Sequence, residues 1–594
     1  MKWHIKEKVP KEFIKKFPEY PSIVLQLLYD RGLDTQGKID EFFNPDYSQD
    51  LHDPFLMLGM KQAVARIKKA IKKKEKIAVF ADYDCDGVCA GVILETTLRK
   101  LGANLGDIYI PDRHKEGFGL NKKAIEEFKE KKVDLIITVD CGINNHEEVR
   151  LAKSLGMEVI ITDHHRIISS PPETIVVDPH QKGEKYPFKD LSGAGVTFKF
   201  IQGLLKKCKS DMAEGWEKWL LDLVALATVA DMVSLLGENR TLVRYGLVVM
   251  AQTRRPGIKE LMRVAGLKPV LERKKIPTTE GISQLISRIE TGRYSFMTNL
   301  RGRDLGFILA PRINVASSLA HANIAYELLA TASKEEAKLL AEKLNNINEG
   351  KYKIINEVVG DIEKRLMEKG IGKIIFEASD KWPAGVIRWA AQKFRDKYSR
   401  PVFIFNITDG KVKGSIRSVP QFNIVKAMEQ CSGLLEKFGG HPAAAGCRLS
   451  AEKLDDFRVC LEKIVDEKLK DEDLSPSIEI DCEIKPEEIN WQIYDSVRNF
   501  APFGKNNPSP LFLLSGAKIS DMRMVGNGNK HLKLELAAGD KKFKAIGFNH
   551  GIKFENFKIN DKVDIVFEFL VNEWNGTREL ELKIIDMKAT PIHE

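Results

Sequence analysis

At 594 residues the chain is too long for one hydrophobic core, and three or four domains are expected. An apolar fraction of 43% beside a charged fraction of 30% excludes a fibrous or wholly disordered protein. The net charge of +9 permits a polyanionic partner such as nucleic acid without requiring one.

The first 13 residues, "MKWHIKEKVPKEF", are charged from residue 2 and carry no apolar run, so no signal peptide is read there. Residues 1–50 read as a small helical lead-in. From about 60 to 185, β-branched runs at 76–81, 133–139, 158–162 and 174–177 alternate with helical stretches such as 60–74 and 121–132. Apolar strands alternating with helices predict an α/β domain with a mostly parallel sheet. Residues 193–330 read as mainly helical, with a polar, basic insertion at about 268–304. Within them "WLLDLVALATVADMVSLL" (219–236) contains Asp222 and Asp231 and is too short for a membrane span, so a buried helix is expected. Residues 318–369 have the length and polarity of a connector helix. Residues 370–470 return to α/β character, and 475–594 carry β runs with a hairpin turn at Asn575-Gly576, the pattern of an OB-like barrel. The eight cysteines contain no C-x-x-C pair, and reduced thiols in a cytoplasm are the simplest expectation.

The predicted strands of the first α/β domain end in acids. "DYDCDG" supplies Asp82, Asp84 and Asp86; "VDCG" supplies Asp140; "DHH" supplies Asp163, His164 and His165; "VVDPH" supplies Asp178 and His180. Ligand sites of open α/β sheets lie outside the carboxyl ends of the strands, so these acids should converge. Asp231 joins them from an apolar helix. An Asp after a strand is often only a helix N-cap, but four strand ends together are poorly explained that way. Carboxylate oxygens and imidazole nitrogens suit Mn²⁺ or Mg²⁺, and two such ions can activate water and stabilise a leaving oxygen in phosphoester hydrolysis. Asp82, Asp84 and Asp86 alternate, so on an extended chain they would share a face.

In this order "DYDCDG", "VDCG", "DHH" and "VAD" resemble the DHH phosphoesterase superfamily. "FFNPDYSQDLHDPF", "IYIPDRHKEGFGL", "YPFKDLSGAGVTFKF", "APRIN", "GSIRS", "FGGHPAAAG" and "FAPFGKNNPSP" narrow the likeness to the RecJ single-strand-specific exonucleases, over nearly the whole chain. The resemblance implies a DHH catalytic domain over 51–317, the connector over 318–369, a DHHA1 domain over 370–470 and an OB-fold over 475–594. It implies that Asp82, Asp84, Asp86, Asp140, His164 and Asp231 hold two divalent cations, Mn²⁺ or Mg²⁺, with Asp140 as the bridge. His165 would contact metal or the scissile phosphate, and Asp163 would orient the histidines. Arg312, Asn314, Ser415, Arg417, Ser418, Gly439, Gly440 and His441 would hold the substrate. The implied activity is removal of mononucleotides from the 5′ end of single-stranded DNA in repair and recombination. A cytoplasmic monomer is expected, with single-strand-binding protein or a helicase as partner.

Phe500, Phe503, Phe548 and Trp574 are aromatic candidates for stacking bases on the barrel, although a core position is the favoured reading for each. The family's hydroxyl pair after "DYDCDG" is replaced by "VCAG", its "PRxNAAGR" by "PRINVASS", and its "WHPGV" by "WPAGV". Rival readings are a DHH phosphodiesterase of short oligoribonucleotides or small nucleotides, and a non-catalytic single-strand-binding scaffold. The barrel argues against the first, and the complete set of acids and histidines against the second.

Overall fold

The computed structural model describes residues 1–208, 211–275, 294–551, 554, 556–574 and 576–591. It forms two compact units: Lys6–Asn345 with Ile480–Glu594, and Met1–Ile5 with Asn346–Glu479.

The larger unit is built on a five-stranded parallel sheet. In spatial order its strands are Leu105–Tyr109, Ile77–Ala81, Leu135–Val139, Glu158–Thr162 and Ile175–Val177. The three central strands are buried on both faces apart from Glu158, which explains their nearly unbroken apolar sequences. The edge strand Leu105–Tyr109 escapes sequence reading, because it is half-exposed and interrupted by Gly106 and Asp107. The tract 219–236 is only partly helical. Its helix, Leu221–Ala230, ends at Asp231, and Met232 takes a left-handed φ of 59°. The basic insertion begins and ends as an antiparallel pair, Leu271–Lys275 with Tyr294–Thr298, and residues 276–293 lie outside the described residues.

The C-terminal segment closes as a barrel. Phe512–Val525, His531–Ala538, Lys541–Gly547, Thr577–Ala589 and Lys562–Trp574 pair in that order, and the last pairs back to the first. The helices Lys11–Lys16, Ser22–Tyr29 and Gln36–Phe43 are not a separate lead-in: their apolar faces belong to the barrel's own core. Phe500 stands where they meet, 5.4 Å from Phe42 and 5.1 Å from Phe43. Arg240 ties this region to the parallel-sheet half of the unit. Its guanidinium is buried and donates to the carbonyls of Phe42, Asn499, Phe500 and Ala501 at 2.6–3.0 Å. Phe500 is therefore core, not a base platform, and Phe503 packs partly buried against the same core. Phe548 remains exposed beside His531, whereas the side chain of Trp574, and Asn575 of the expected turn, lie outside the described residues.

The smaller unit carries a mixed sheet ordered Lys437–His441, Ala444–Ser450, Lys411–Arg417, Val402–Thr408 and Ile375–Ser379. Only the last two strands run parallel. Cys431 and Cys460 form a disulfide, which corrects the expectation that every thiol is reduced. The pairing joins a helix end to a second helix 29 residues away, a proximity that sequence spacing alone did not disclose. The helix Lys334–Lys369 contains the Asn345–Asn346 boundary between the units. It starts later than residue 318, because the separate helices Ala310–Leu319 and Asn323–Ala330 precede it.

Candidate active site

The register of the parallel sheet aligns the acids. Ala81 pairs with Val139, Val139 with Thr162, and Thr162 with Val177. The residue after each is Asp82, Asp140, Asp163 or Asp178, so four acids form one row along the carboxyl edge. The ladder continues into the row: the amides of Asp82, Asp140 and Asp163 donate to the carbonyls of Val139, Thr162 and Val177 at 3.3, 3.0 and 3.1 Å. All four side chains are buried. Asp140 is further distinguished by a left-handed φ of 60°, a conformation Asp tolerates better than most residues but still at a cost.

The "DYDCDG" acids are not spaced along a strand. The strand stops at Ala81, and the helix Cys85–Lys100 begins after Asp84, which caps it by accepting from the amides of Asp86 and Gly87 at 2.8 and 3.2 Å. This strand-to-helix turn divides the acids between two groups instead of presenting one face. Ligand-type atoms of Asp82, Asp84 and Asp140 lie within 4.8 Å of one another, as do those of Asp86, His164 and Asp231, and those of Asp140, His164 and His165. Asp140 and His164 each belong to two groups. His164 Nε2 is 3.1 Å from Asp140 Oδ1, 3.7 Å from Asp231 Oδ2 and 3.8 Å from Asp86 Oδ2.

Asp86 is oriented by residues that sequence analysis did not assign. Its two oxygens accept from the amides of Gly193 and Ala194, at 2.7 and 2.8 Å, at the start of the helix Gly193–Lys207. That helix can approach only because residue 193 is glycine: a Cβ there would stand 2.3 Å from Asp140 Oδ1. Gly87 is equally constrained, since its Cβ would meet Asp82 Cβ at 2.6 Å. The signal was the "SGAG" at the helix start, legible as a close backbone approach but not as an approach to these acids.

Charge in this site is held at a cost. Burial, then the charge of Asp84, pushes Asp82 up to about 8. Burial and the charges of Asp86 and Asp84 push Asp231 up to about 8. Asp140 is raised well above the carboxylate range by burial and by four neighbouring acids. Asp82 Oδ1, Asp140 Oδ1 and His164 Nε2 are buried without a hydrogen-bond partner. Unsatisfied oxygens and an imidazole nitrogen, all facing one acidic space, fit hard or borderline divalent cations, which would satisfy them and reverse the upward shifts.

Asp163 behaves differently from the other acids. Its Oδ1 accepts from His165 Nδ1 at 2.8 Å and from the amide of His164, and its Oδ2 accepts from the amide of Ile143. Burial alone would raise this carboxyl, but the hydrogen bond and charge of His165 outweigh it and hold Asp163 below the usual range. The same bond outweighs the burial of His165 and holds it up to about 9. Phe118 lies 5.2 Å from His165 at the mouth of this cluster, and Arg113 stacks on Tyr83 at 5.0 Å. Both come from "IYIPDRHKEGFGL", a motif that sequence analysis left without a role. Asp178 turns to His180 and stays outside the three groups.

Asn314 and Arg312 are occupied by protein groups. Asn314 Oδ1 accepts from the amide of Cys85, beside the Asp84 cap, at 2.8 Å. Arg312 donates to Asn345 Oδ1 and to the carbonyl of Ile308. These bonds support the turn and the long helix.

In the smaller unit "FGGHPAAAG" is a hairpin. Register pairs Ser415 with Gly446 and Gly446 with Gly439 in one row, and Arg417 with Ala444 and Ala444 with His441 in the next. Lys413, Arg448 and Lys437 form a third row on the other side. A strip of small residues therefore runs between two basic rows, with Arg417 and His441 about 10 Å apart across two strand spacings. No atom lies within 4 Å of a Cβ built on Gly439, so the strip is open there, whereas one on Gly440 would stand 2.5 Å from the carbonyl of Ala444. Ser418 is off the strip: it is buried, and its hydroxyl donates to Phe422 O.

Three family models match the chain: the DHH family N-terminal domain over residues 76–228, the DHHA1 domain over 371–467 and the RecJ OB domain over 480–586. A single-stranded-DNA-specific exonuclease RecJ of Bacillus subtilis is 35% identical over 593 residues, covering 99% of this chain and 70% of that protein. The chain belongs to the RecJ family. A RecJ of Haemophilus influenzae is 30% identical, over 90% of this chain and 91% of its own length. The crystal structure of RecJ from Thermus thermophilus in complex with Mn²⁺ superposes with a TM-score of 0.79 at 25% identity, covering 100% of this chain and 80% of that one. The RecJ fold, with a parallel-sheet domain, a DHHA1 domain and a closed five-stranded barrel, is as the sequence predicts. Among the described residues, no helix is long and apolar enough to cross a membrane.

Proposed function

We propose that this chain is a divalent-cation-dependent exonuclease that hydrolyses single-stranded DNA from its 5′ end and releases mononucleotides. The observation that carries this reading is the convergence of five acids and two histidines from separate segments at one sheet edge, in a chain of the RecJ family. Asp82, Asp84 and Asp140 would hold one cation, and Asp86, His164 and Asp231 the other, with Asp140 adjoining both sets. Two such ions supply Lewis-acid activation of water and stabilisation of the leaving oxygen.

The chain's own residues do the rest. Gly193 and Ala194 fix the Asp86 carboxylate through their amides. Asp163 keeps the His165 ring oriented through its Nδ1, so that the ring can face metal or a phosphate oxygen. The Arg417 guanidinium and His441 flank a glycine strip where a terminal phosphate and its sugar can come close to backbone. Ser415 lies on the same strip. The barrel offers Phe548 and His531 to single strands. The domain scheme of the family is proposed for the whole chain, as are monomeric behaviour in a cytoplasm and a single-strand-binding or helicase partner.

The test is digestion of single-stranded DNA and RNA labelled at either end, with Mn²⁺ and Mg²⁺, alongside duplex DNA and dinucleotides. Mononucleotide release from the 5′ end of DNA alone is expected. Preferential cleavage of dinucleotides would replace this reading with a small-nucleotide phosphodiesterase.

A further inference from the structure

In the segments of the larger unit that hold Asp231 and lead to Asn314, two large apolar side chains are exposed on irregular backbone. Phe307 is 71% exposed and Met232 60% exposed. Phe307 sits within a π-helical turn, Leu305–Leu309, that leads into the helix Ala310–Leu319. Such turns insert one residue into a helix, cost stability and occur frequently at functional sites. Met232 directly follows Asp231 and holds φ at 59°, where a glycine would be more stable. The strain keeps its side chain outside while Asp231 joins the acidic group. The two segments pack together: a Cβ on Gly306 would lie 3.2 Å from Val229 Cγ1.

The exposed face of this helical stretch has direction. Arg303 and Phe307 are exposed on it, and Pro311 and Asn314 are partly exposed. They recur at intervals of four, four and three residues across the π turn. The series starts at a cation and ends at Asn314, whose side chain holds the Cys85 amide next to Asp84. A cation, then an exposed ring, then an acidic cluster that would hold divalent cations matches phosphate, base and phosphate along a single strand.

The geometry points to Phe307 and Met232 as an apolar ledge on which a base near the scissile phosphate stacks, making them positioning residues that set which phosphodiester reaches the acidic cluster. This rests on the exonuclease reading for its substrate. A paired base has both faces covered by its neighbours, so the ledge also favours single strands over duplex.

The test uses the full chain with 5′-phosphorylated single-stranded oligodeoxynucleotides, intact or carrying one abasic site at each of the first positions. Phe307→Ala is expected to raise KM roughly 10-fold while kcat changes by less than about 2-fold, the scale of one lost stacking contact. An abasic site at the stacked position should impose a similar penalty on the natural protein and none on Phe307→Ala. Phe307→Trp should retain the natural KM, and its added emission should be quenched by intact DNA. Met232→Gly relieves the left-handed strain, so it should raise both Tm and KM. A natural KM for Phe307→Ala, or the same abasic penalty in both proteins, overturns the ledge. A raised Tm with unchanged KM removes Met232 from it. Anisotropy of labelled DNA in EDTA separates the two readings. If hydrolysis is absent, the exonuclease reading fails, while a roughly 10-fold affinity loss in Phe307→Ala still supports the ledge and equal affinity still overturns it.

Discussion

The acidic edge of the larger unit and the glycine strip of the smaller unit solve opposite problems. At the acidic edge, glycines bring backbone close to carboxylates and leave no space; a methyl group on residue 193 has nowhere to go. On the strip, Gly439 leaves open space between basic rows. The first arrangement fixes charge in a low-dielectric position before any ligand arrives, and the second leaves room for one. The difference teaches that the same residue type can serve close packing in one place and leave open space in another, and that only its neighbours tell which.

Five substitutions or treatments would break or sharpen that contrast, from the largest expected effect to the smallest. Asp140→Ala should lower hydrolysis by at least ~10³-fold while circular dichroism stays unchanged, because it removes the group shared by two clusters. Full activity in that variant would sink the assignment of the acidic edge. Reduction of Cys431–Cys460 should cost the smaller unit about 3.6 kcal/mol, the loop entropy of a 29-residue separation, and leave the larger unit's melting transition where it is. Equal shifts of both transitions would contradict the disulfide's placement. Gly193→Ala should destabilise the larger unit by about 1–3 kcal/mol through overpacking and displace Asp140, so hydrolysis should fall further than stability. Arg417→Ala should raise KM about 10–100-fold with little change in Tm, the cost of one charge-assisted phosphate contact. An unchanged KM would take the strip out of substrate binding. Gly439→Ala should alter stability by less than about 0.5 kcal/mol, and any loss should appear in KM alone. A large drop in Tm would show that the strip is packed like the acidic edge.

Much of this was legible in the chain. The acids at the ends of apolar runs were visible because a buried parallel strand needs continuous apolar residues and its ligand site lies just beyond them. The barrel was visible in its alternating strands. What escaped has consistent causes. The edge strand Leu105–Tyr109 is half-exposed and so lacks the apolar run that marks its neighbours. The N-terminal helices looked independent because nothing local shows that Phe42 and Phe43 pack on Phe500, more than 450 residues away. Ser418 looked like a substrate contact, yet it is buried on Phe422 O, and Arg312 and Asn314 brace protein groups that only folding brings near.

By itself, the sequence determined which residues could carry the chemistry: the acids, the histidines, the basic strand residues and the glycines, each in a local pattern that implied its element. The tertiary structure decided how they are shared. Register turned four strand ends into one row, a strand-to-helix turn split "DYDCDG" between two groups, and the Gly193–Lys207 helix placed two amides on Asp86. The physical reason is range. Strand, cap and turn preferences act over a few residues, whereas the distance between Asp86 and Gly193, or between Asp140 and His164, exists only once the sheet has paired.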